Sequence, residues 1–109
     1  MEYLNTGDNL GTGYTTTLSA TTTTKLLVKT IHACNTFSGD TSFYLQWYDS
    51  SAATTYTMSH NITIPDASSY QALDGTFVLD NDDYLTAKCN GAGDVDLTIS
   101  YMEITNGEG

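Results

Sequence analysis

The amino-acid sequence predicts an all-β domain: a single antiparallel β-sandwich of about eight strands, jelly-roll-like or alternatively immunoglobulin-like. Composition favours strands, because the 109 residues include 20 Thr and eight Tyr, which suit a pleated and half-buried surface, and only one Pro. Short apolar runs separated by turn residues recur every ~10–12 residues, a spacing typical of sandwiches and barrels. No segment shows the 3.6-residue period of an amphipathic helix.

The chain length predicts one domain with a single core. Residues 1–13 are polar and contain three Gly, so they are predicted to form an extended N-terminal arm. Residues 14–105 are predicted to form the β-sandwich, and residues 106–109 a polar tail. The first residues lack the basic and apolar regions of a secretory signal, which favours a protein that stays where it is made.

The first two predicted strands differ in character. Residues 13–24 are rich in Thr and place Tyr14, Leu18 and Ala20 at one parity, which predicts an edge strand. Residues 25–37 form the most apolar run and do not alternate. That pattern indicates a central strand covered on both faces, or a bulge that changes the parity.

The next two predicted strands alternate. Residues 42–48 place Phe43, Leu45 and Trp47 on one face, which is predicted to be the core face. Residues 55–64 alternate almost perfectly and form the clearest half-buried strand. Its predicted apolar face consists of Tyr56, Met58, His60, Ile62 and Ile64.

The second half of the chain begins with a predicted hairpin. Asp74-Gly75 lies between two short apolar runs, residues 69–73 and 76–79. An Asp-Gly pair in this context is a strong hairpin signal, because a type I′ turn needs two residues with positive φ.

The last two predicted strands cover residues 84–89 and 95–104, and each has one apolar parity. Met102 and Ile104 lie on the opposite parity from the other apolar residues of the last strand. A bulge or a second contact surface is therefore predicted near Tyr101.

The charge balance argues against whole classes of partner. Thirteen Asp and Glu face three Lys and no Arg, which gives a formal net charge of −10. Affinity for phosphate backbones is built from clustered Lys and Arg, so nucleic-acid binding is not expected. The same reasoning argues against anionic membrane surfaces.

The residues that most often carry chemistry are few. Cys34 and Cys89 are predicted to be small buried thiols, with a single disulfide as the alternative. A zinc site would need four ligands, and only His32 and His60 could join the cysteines. Neither histidine has an evident Ser or Cys partner with a supporting acid. The sequence therefore predicts no enzyme, no catalytic or cofactor-binding residues and no metal site.

One acidic turn resembles the start of a calcium loop. Asp80-Asn81-Asp82-Asp83 supplies spaced oxygen ligands, but Tyr84 and Leu85 then occupy the positions of a ligand and a Gly. The segment is predicted to be an acidic turn, with a weak calcium site as the alternative.

Several aromatic and apolar residues are candidates for an interface. Tyr44 and Tyr48 lie opposite the predicted core face of their strand, and an exposed Tyr offers a large contact area at a small entropic cost. The predicted interface residues are Tyr44, Tyr48, Tyr14, Leu4 and Tyr3.

Four segments of the second half share a succession of strand, turn and strand. They are Ile64-Pro65-Asp66, Leu73-Asp74-Gly75-Thr76-Phe77-Val78-Leu79, Asp83-Tyr84-Leu85 and Asp94-Val95-Asp96-Leu97-Thr98-Ile99-Ser100-Tyr101-Met102-Glu103-Ile104. This succession resembles the small β-sandwich structural proteins of tailed-bacteriophage virions. The resemblance covers residues 25–104 and is looser in the first half.

The resemblance implies a capsid decoration (cement) protein that binds the outer shell, or alternatively a neck or tail component. It implies location in the virion after assembly in the host cytoplasm, with the major capsid protein or other virion proteins as partners. A homotrimer is expected, because three copies around a threefold axis of the capsid would bury the exposed tyrosines. A different class remains as a second hypothesis: a carbohydrate-binding module in which Trp47, Tyr44 and Tyr48 stack on sugar.

Overall fold

The computed structural model describes residues 3–73 and 75–105, which form nine strands. The strands are β1 (Tyr3–Asn9), β2 (Thr15–Ser19), β3 (Thr24–Asn35), β4 (Thr41–Asp49), β5 (Thr54–Ile64), β6 (Ser69–Gln71), β7 (Phe77–Leu79), β8 (Tyr84–Cys89) and β9 (Val95–Thr105). None of these described residues belongs to a helix that could cross a membrane.

The strands form two antiparallel sheets packed face to face, which confirms the predicted β-sandwich. One sheet has the order β1-β9-β3-β6, with β7 also paired to β3, and the other has the order β2-β8-β4-β5. We call them the five-stranded and the four-stranded sheet.

The strand order is that of a jelly roll. When β6 and β7 are counted as one interrupted strand, the first strand pairs with the last, the second with the second-last, the third with the sixth, and the fourth with the fifth. This is a long antiparallel ribbon rolled into two sheets. An immunoglobulin sandwich instead keeps its first two strands paired in one sheet, so the alternative topology is not the one adopted.

The core lies between the two sheets and is built by the alternating residues that face inward. Val95, Leu97 and Ile99 of β9 are fully buried, as are Leu85 and Ala87 of β8. Their strands contribute polar residues to the outer faces, as the period of two requires. The predicted core faces of these two strands are therefore confirmed.

The first residues of the predicted arm form a strand of the sandwich. Tyr3–Asn9 is extended and pairs along its whole length with β9 of the same chain. Leu10, directly after β1, is buried, and its amide N donates to the carbonyl oxygen of Val95 (2.9 Å). The predicted tail, residues 106–109, lies outside the described residues.

The predicted hairpin at Asp74-Gly75 is wrong. β6 pairs with residues 32–34 of β3 and β7 with residues 26–28, so the two runs follow one another along the same edge. Gly75 does have a positive φ of 87°, but the chain continues in its original direction. The amide N of Ala72 donates to the carbonyl oxygen of Ile31 (2.8 Å), and Leu73 is buried, which ties the interruption to the core. Asp74 lies outside the described residues.

A bulge interrupts the alternation of β3. The register of β3 against β9 shifts between Val28 and Thr30, which confirms the bulge predicted as one option for this strand. β9 itself keeps its register, so Met102 turns outward by simple alternation from the inward-facing Tyr101. The β3 bulge lies opposite Tyr101 and Ser100, so a bulge does fall near Tyr101, but on the neighbouring strand.

Strand β5 does not have the single apolar face that its sequence predicts. Its register against β4 shifts twice, and Asn61 at one shift has a φ of 51°. Because each shift changes the parity, Ile64 and Ser59 are buried, whereas His60 is exposed on the outer face. The predicted core position of His60 is therefore wrong.

Candidate interaction surface

The outer face of the four-stranded sheet carries an aromatic surface, which we call the tyrosine face. It consists of Tyr14, Tyr44, Tyr48, Tyr84, His60 and Lys88. Three of the five predicted interface residues, Tyr14, Tyr44 and Tyr48, lie on it. The sequence signal for Tyr44 and Tyr48 was their parity opposite the core face of β4.

A lysine lies between two tyrosine rings at one end of this face. Lys88 Nζ is 4.9 Å from the ring centroid of Tyr14 and 4.6 Å from that of Tyr44. The register of β4 against β8 places Tyr44 directly opposite Lys88. The negative faces of aromatic rings attract a cation, so Lys88 holds both rings in place. Burial, followed by the proximity of Tyr44, raises the pKa of Tyr14 above its ordinary value.

Tyr44 is held from its other side by the bulge of β5. Its ring makes an edge-to-face contact with His60, with the centroids 5.5 Å apart. Its hydroxyl donates to Asn61 Oδ1 at 3.1 Å. The left-handed backbone at Asn61 brings both partners to the outer face, a conformation that Asn adopts more readily than most residues. Sequence reasoning missed this contact because it depends on the bulge.

A pair of stacked tyrosines forms the other end of the tyrosine face. Tyr48 and Tyr84 are direct cross-strand neighbours on β4 and β8. Their ring centroids are 4.8 Å apart and the planes are inclined by 20°. Such aromatic pairs contribute roughly 0.5–1.5 kcal/mol beyond the area they bury. The pair makes this end of the face stiff and pre-ordered.

The two remaining predicted interface residues lie elsewhere. Tyr3 and Leu4 are on β1, the edge of the five-stranded sheet. Tyr3 is 61% exposed, whereas Leu4 is half-buried opposite Tyr101. The five predicted residues therefore divide between the two sheets and do not form one continuous surface.

The aromatic platform of the carbohydrate hypothesis is not assembled. Trp47 lies on the inner side of β4, stacked on Tyr56 with the centroids 5.2 Å apart and touched edge-on by Phe77. Tyr44 and Tyr48 face the opposite way. The three rings proposed for sugar stacking thus have no common surface.

The acidic turn before β8 has a structural explanation. Asp83 is 2% exposed, and its carboxylate accepts hydrogen bonds from Trp47 Nε1 (3.2 Å), the Ser50 amide N (2.8 Å) and the Asp80 amide N (3.1 Å). Both of its oxygens are engaged by protein donors. Within residues 3–73 and 75–105, no three His, Cys, Asp or Glu side chains come together where they could hold a metal ion.

The two cysteines lie in different layers and both are free. Cys89 faces the core, as predicted, and its Sγ contacts the carbonyl oxygen of Gly91 at 3.0 Å. Burial raises the pKa of the Cys89 thiol above its ordinary value. Cys34 is half-buried on the outer side of the five-stranded sheet, between the buried Ala33 and Asn35. The alternative of a single disulfide is not realised.

Comparison with known proteins identifies a shared fold. No family model matches the sequence, and no curated protein matches it. A chain from the acidic stable capsid structure of Helicobacter pylori bacteriophage KHP30 is similar to this protein, with a TM-score of 0.56 and 10% sequence identity. The alignment covers 94% of this chain and 91% of that one. At this identity the likeness shows that the two chains have the same fold.

Proposed function

We propose that this protein is a non-enzymatic structural component of a bacteriophage virion, which binds the outer surface of the capsid shell as a decoration protein. The observation that carries the proposal is the likeness in fold, across 94% of the chain, to a chain from a bacteriophage capsid structure. The resemblance of residues 25–104 to small virion proteins supports the same assignment independently of the three-dimensional structure.

The tyrosine face provides the surface that such a role needs. Its rings are fixed before binding by the Lys88 contacts and by the stacking of Tyr48 on Tyr84. A pre-ordered aromatic surface loses little side-chain entropy on association, and Tyr is enriched at protein interfaces for this reason. We propose that this face contacts the major capsid protein.

The net charge is compatible with binding to the outside of a filled capsid. At −10 the chain is repelled by packaged nucleic acid and remains dispersed at a high copy number. Selective contact with a shell would therefore depend on a local surface such as the tyrosine face.

The copy number per particle tests the proposal. Quantitative mass spectrometry of purified virions of the encoding phage is expected to find hundreds of copies. A count of tens would instead favour the neck or tail alternative. Complete absence from the virion would overturn both assignments.

Matched substitutions test the surface. Particles stripped of the protein would be incubated with wild-type protein, with Tyr44→Ser, or with Tyr56→Ser as a control. Tyr56 is also an exposed tyrosine of the four-stranded sheet, but it lies outside the tyrosine face. We expect Tyr44→Ser alone to lose binding. Equal binding by both variants would refute the assignment of this face.

A further inference from the structure

A row of apolar side chains crosses the outer face of the five-stranded sheet. Tyr3, Met102, Leu27 and Val78 are successive cross-strand neighbours on β1, β9, β3 and β7. The flanking residues Leu26 and Val28 are buried, so Leu27 points outward. Val78 is 49% exposed. A contiguous apolar surface of this kind marks a contact site more often than a scattered exposed residue does.

Two of the three lysines of the chain flank this row. Lys25 and Lys29 lie on β3, two positions before and two positions after Leu27. Lys25 Nζ is 3.7 Å from Asp80 Oδ1 in an exposed ion pair, and Lys29 is the exposed extra residue of the β3 bulge. We call the apolar row together with Lys25 and Lys29 the basic pole. Because Lys25 is already paired with Asp80, Lys29 supplies most of the positive charge of this pole.

The opposite end of β3 carries a surface of complementary character. In the loop after β3, Phe37 is 47% exposed, and Asp40 follows three residues later. The amide N of Asp66, from the loop after β5, donates to Asp40 Oδ1 at 3.1 Å, which brings the two acidic residues together. We call Phe37, Asp40 and Asp66 the acidic pole.

A buried amide holds the acidic pole in shape. Asn35 donates from Nδ2 to the carbonyl oxygens of Gly39 (2.8 Å), Ile64 (2.9 Å) and Pro65 (3.1 Å). Its Oδ1 accepts from the amide N of Phe37 at 2.8 Å. The exposed ring of Phe37 is thus presented from an ordered loop, which lowers the entropic cost of using it in a contact.

We propose that the basic pole of one copy binds the acidic pole of a second copy. The poles cannot meet within one molecule, because Leu27 is eight residues from Asn35 at the end of β3, which corresponds to roughly 26 Å, and Phe37 lies in the loop beyond that end. Between copies, the exposed Phe37 ring packs on the apolar row while Asp40 and Asp66 face Lys25 and Lys29. Both charge and hydrophobicity are matched in this arrangement.

A symmetric contact between like poles is disfavoured by the same charges. A two-fold axis through Leu27 would bring the lysines of one copy, Lys25 and Lys29, against the same lysines of the second copy. A two-fold axis at Phe37 would likewise bring Asp40 and Asp66 of one copy against the same residues of the other. Two copies joined head to tail still have one basic pole and one acidic pole that are not in contact. The head-to-tail contact therefore propagates, either to a closed ring or to a filament. This inference does not depend on the proposed function.

Sedimentation of two complementary variants tests the contact. One variant carries Lys29→Glu and Val78→Ser in the basic pole, and the other carries Phe37→Ser and Asp66→Lys in the acidic pole. We expect wild-type protein to form assemblies larger than a monomer, and each variant alone to sediment as a monomer. An equimolar mixture should form a 1:1 dimer and nothing larger, because only one intact contact can be made.

The control variant carries Ala52→Glu and Tyr56→Ser, which introduce a negative charge and remove an exposed aromatic ring outside both poles and outside the tyrosine face. Tyr56 is 46% exposed, close to the exposure of Phe37. This control should assemble like the wild type, and circular dichroism checks that each variant is folded. Wild-type protein that stays monomeric from micromolar to millimolar concentration would overturn the proposal. So would a mixture that remains monomeric while the wild type assembles, or a control that assembles no better than the pole variants.

Discussion

Replacing Asp83 by Asn is expected to destabilise the fold strongly, although it changes only one atom of the side chain. Asp83 Oδ2 accepts from Trp47 Nε1 and from the Asp80 amide N, while Oδ1 accepts from the Ser50 amide N. The carboxylate thereby joins the end of β4, the loop after it and the turn before β8. An amide has only one acceptor oxygen, so it cannot satisfy donors on both sides.

The size of the effect follows from these three hydrogen bonds. If the Asn oxygen keeps the place of Oδ2, its NH₂ group faces the Ser50 amide N, which is 2.8 Å from Oδ1 in the wild type. A hydrogen bond to a charged group contributes about 1.5–3 kcal/mol, and a neutral one about 1 kcal/mol. Loss of the Ser50 bond and weakening of the other two therefore cost about 3 kcal/mol. That is a large part of the ~5–15 kcal/mol that typically stabilises a domain.

Urea denaturation monitored by fluorescence of the single tryptophan measures this cost. The matched control is Asp82→Asn, which removes the same unit charge from the neighbouring exposed residue. Asp82 has a φ of 64°, which Asn tolerates. We expect Asp82→Asn to change the free energy of unfolding by less than about 0.5 kcal/mol. Equal unfolding midpoints for the two variants would refute the structural role assigned to Asp83.

Three further predictions concern single positions. Asn35→Ala should lower the free energy of unfolding by about 2–4 kcal/mol in urea, because it leaves buried carbonyl groups without donors. At Asn61, where φ is 51°, Val should cost about 1–2 kcal/mol more than Gly in the same assay, since a β-branched residue is strained there. Burial raises the pKa of Cys89, so the unfolded thiol ionises first as the pH rises. The contribution of the buried thiol to the free energy of unfolding should be fully present below about pH 8.5 and decrease as the pH rises further. The free energy of unfolding should therefore decrease less in Cys89→Ala over the same pH range. An identical decrease in that variant would contradict the buried state of the thiol.

The architecture could be predicted from the sequence because alternation and burial agree in most strands. In β8, and in β9 from Val95 to Ile99, the period of two is unbroken, and the buried residues are those that the pattern selects. Pairing in β1 could not be predicted in this way. Its inward positions include Thr6 and Asp8, which carry no apolar signal, and its partner β9 lies at the other end of the chain.

The errors arose where a local signal was overridden by a neighbouring strand. Gly75 adopts the positive φ expected of a turn, but pairing of both flanking runs with β3 keeps the chain straight. The shifts in β5 moved His60 to the outer face, and no residue of the strand signals a bulge by composition alone. Only part of the tyrosine face could be predicted from the sequence. The parity of β4 revealed Tyr44 and Tyr48, whereas Lys88 and His60 depend on cross-strand register.

The pairing of β1 with β9 has a consequence for how the chain acquires its structure during synthesis. Tyr3 is joined to Met102 in this ladder, and β3 takes its longest ladder from the same last strand. The five-stranded sheet therefore cannot be completed until β9 has left the ribosome. Folds dominated by such distant pairings form slowly, on the scale of milliseconds to seconds. Until then the strands that pair with β9 have unpaired edges, which are sites where another chain could pair.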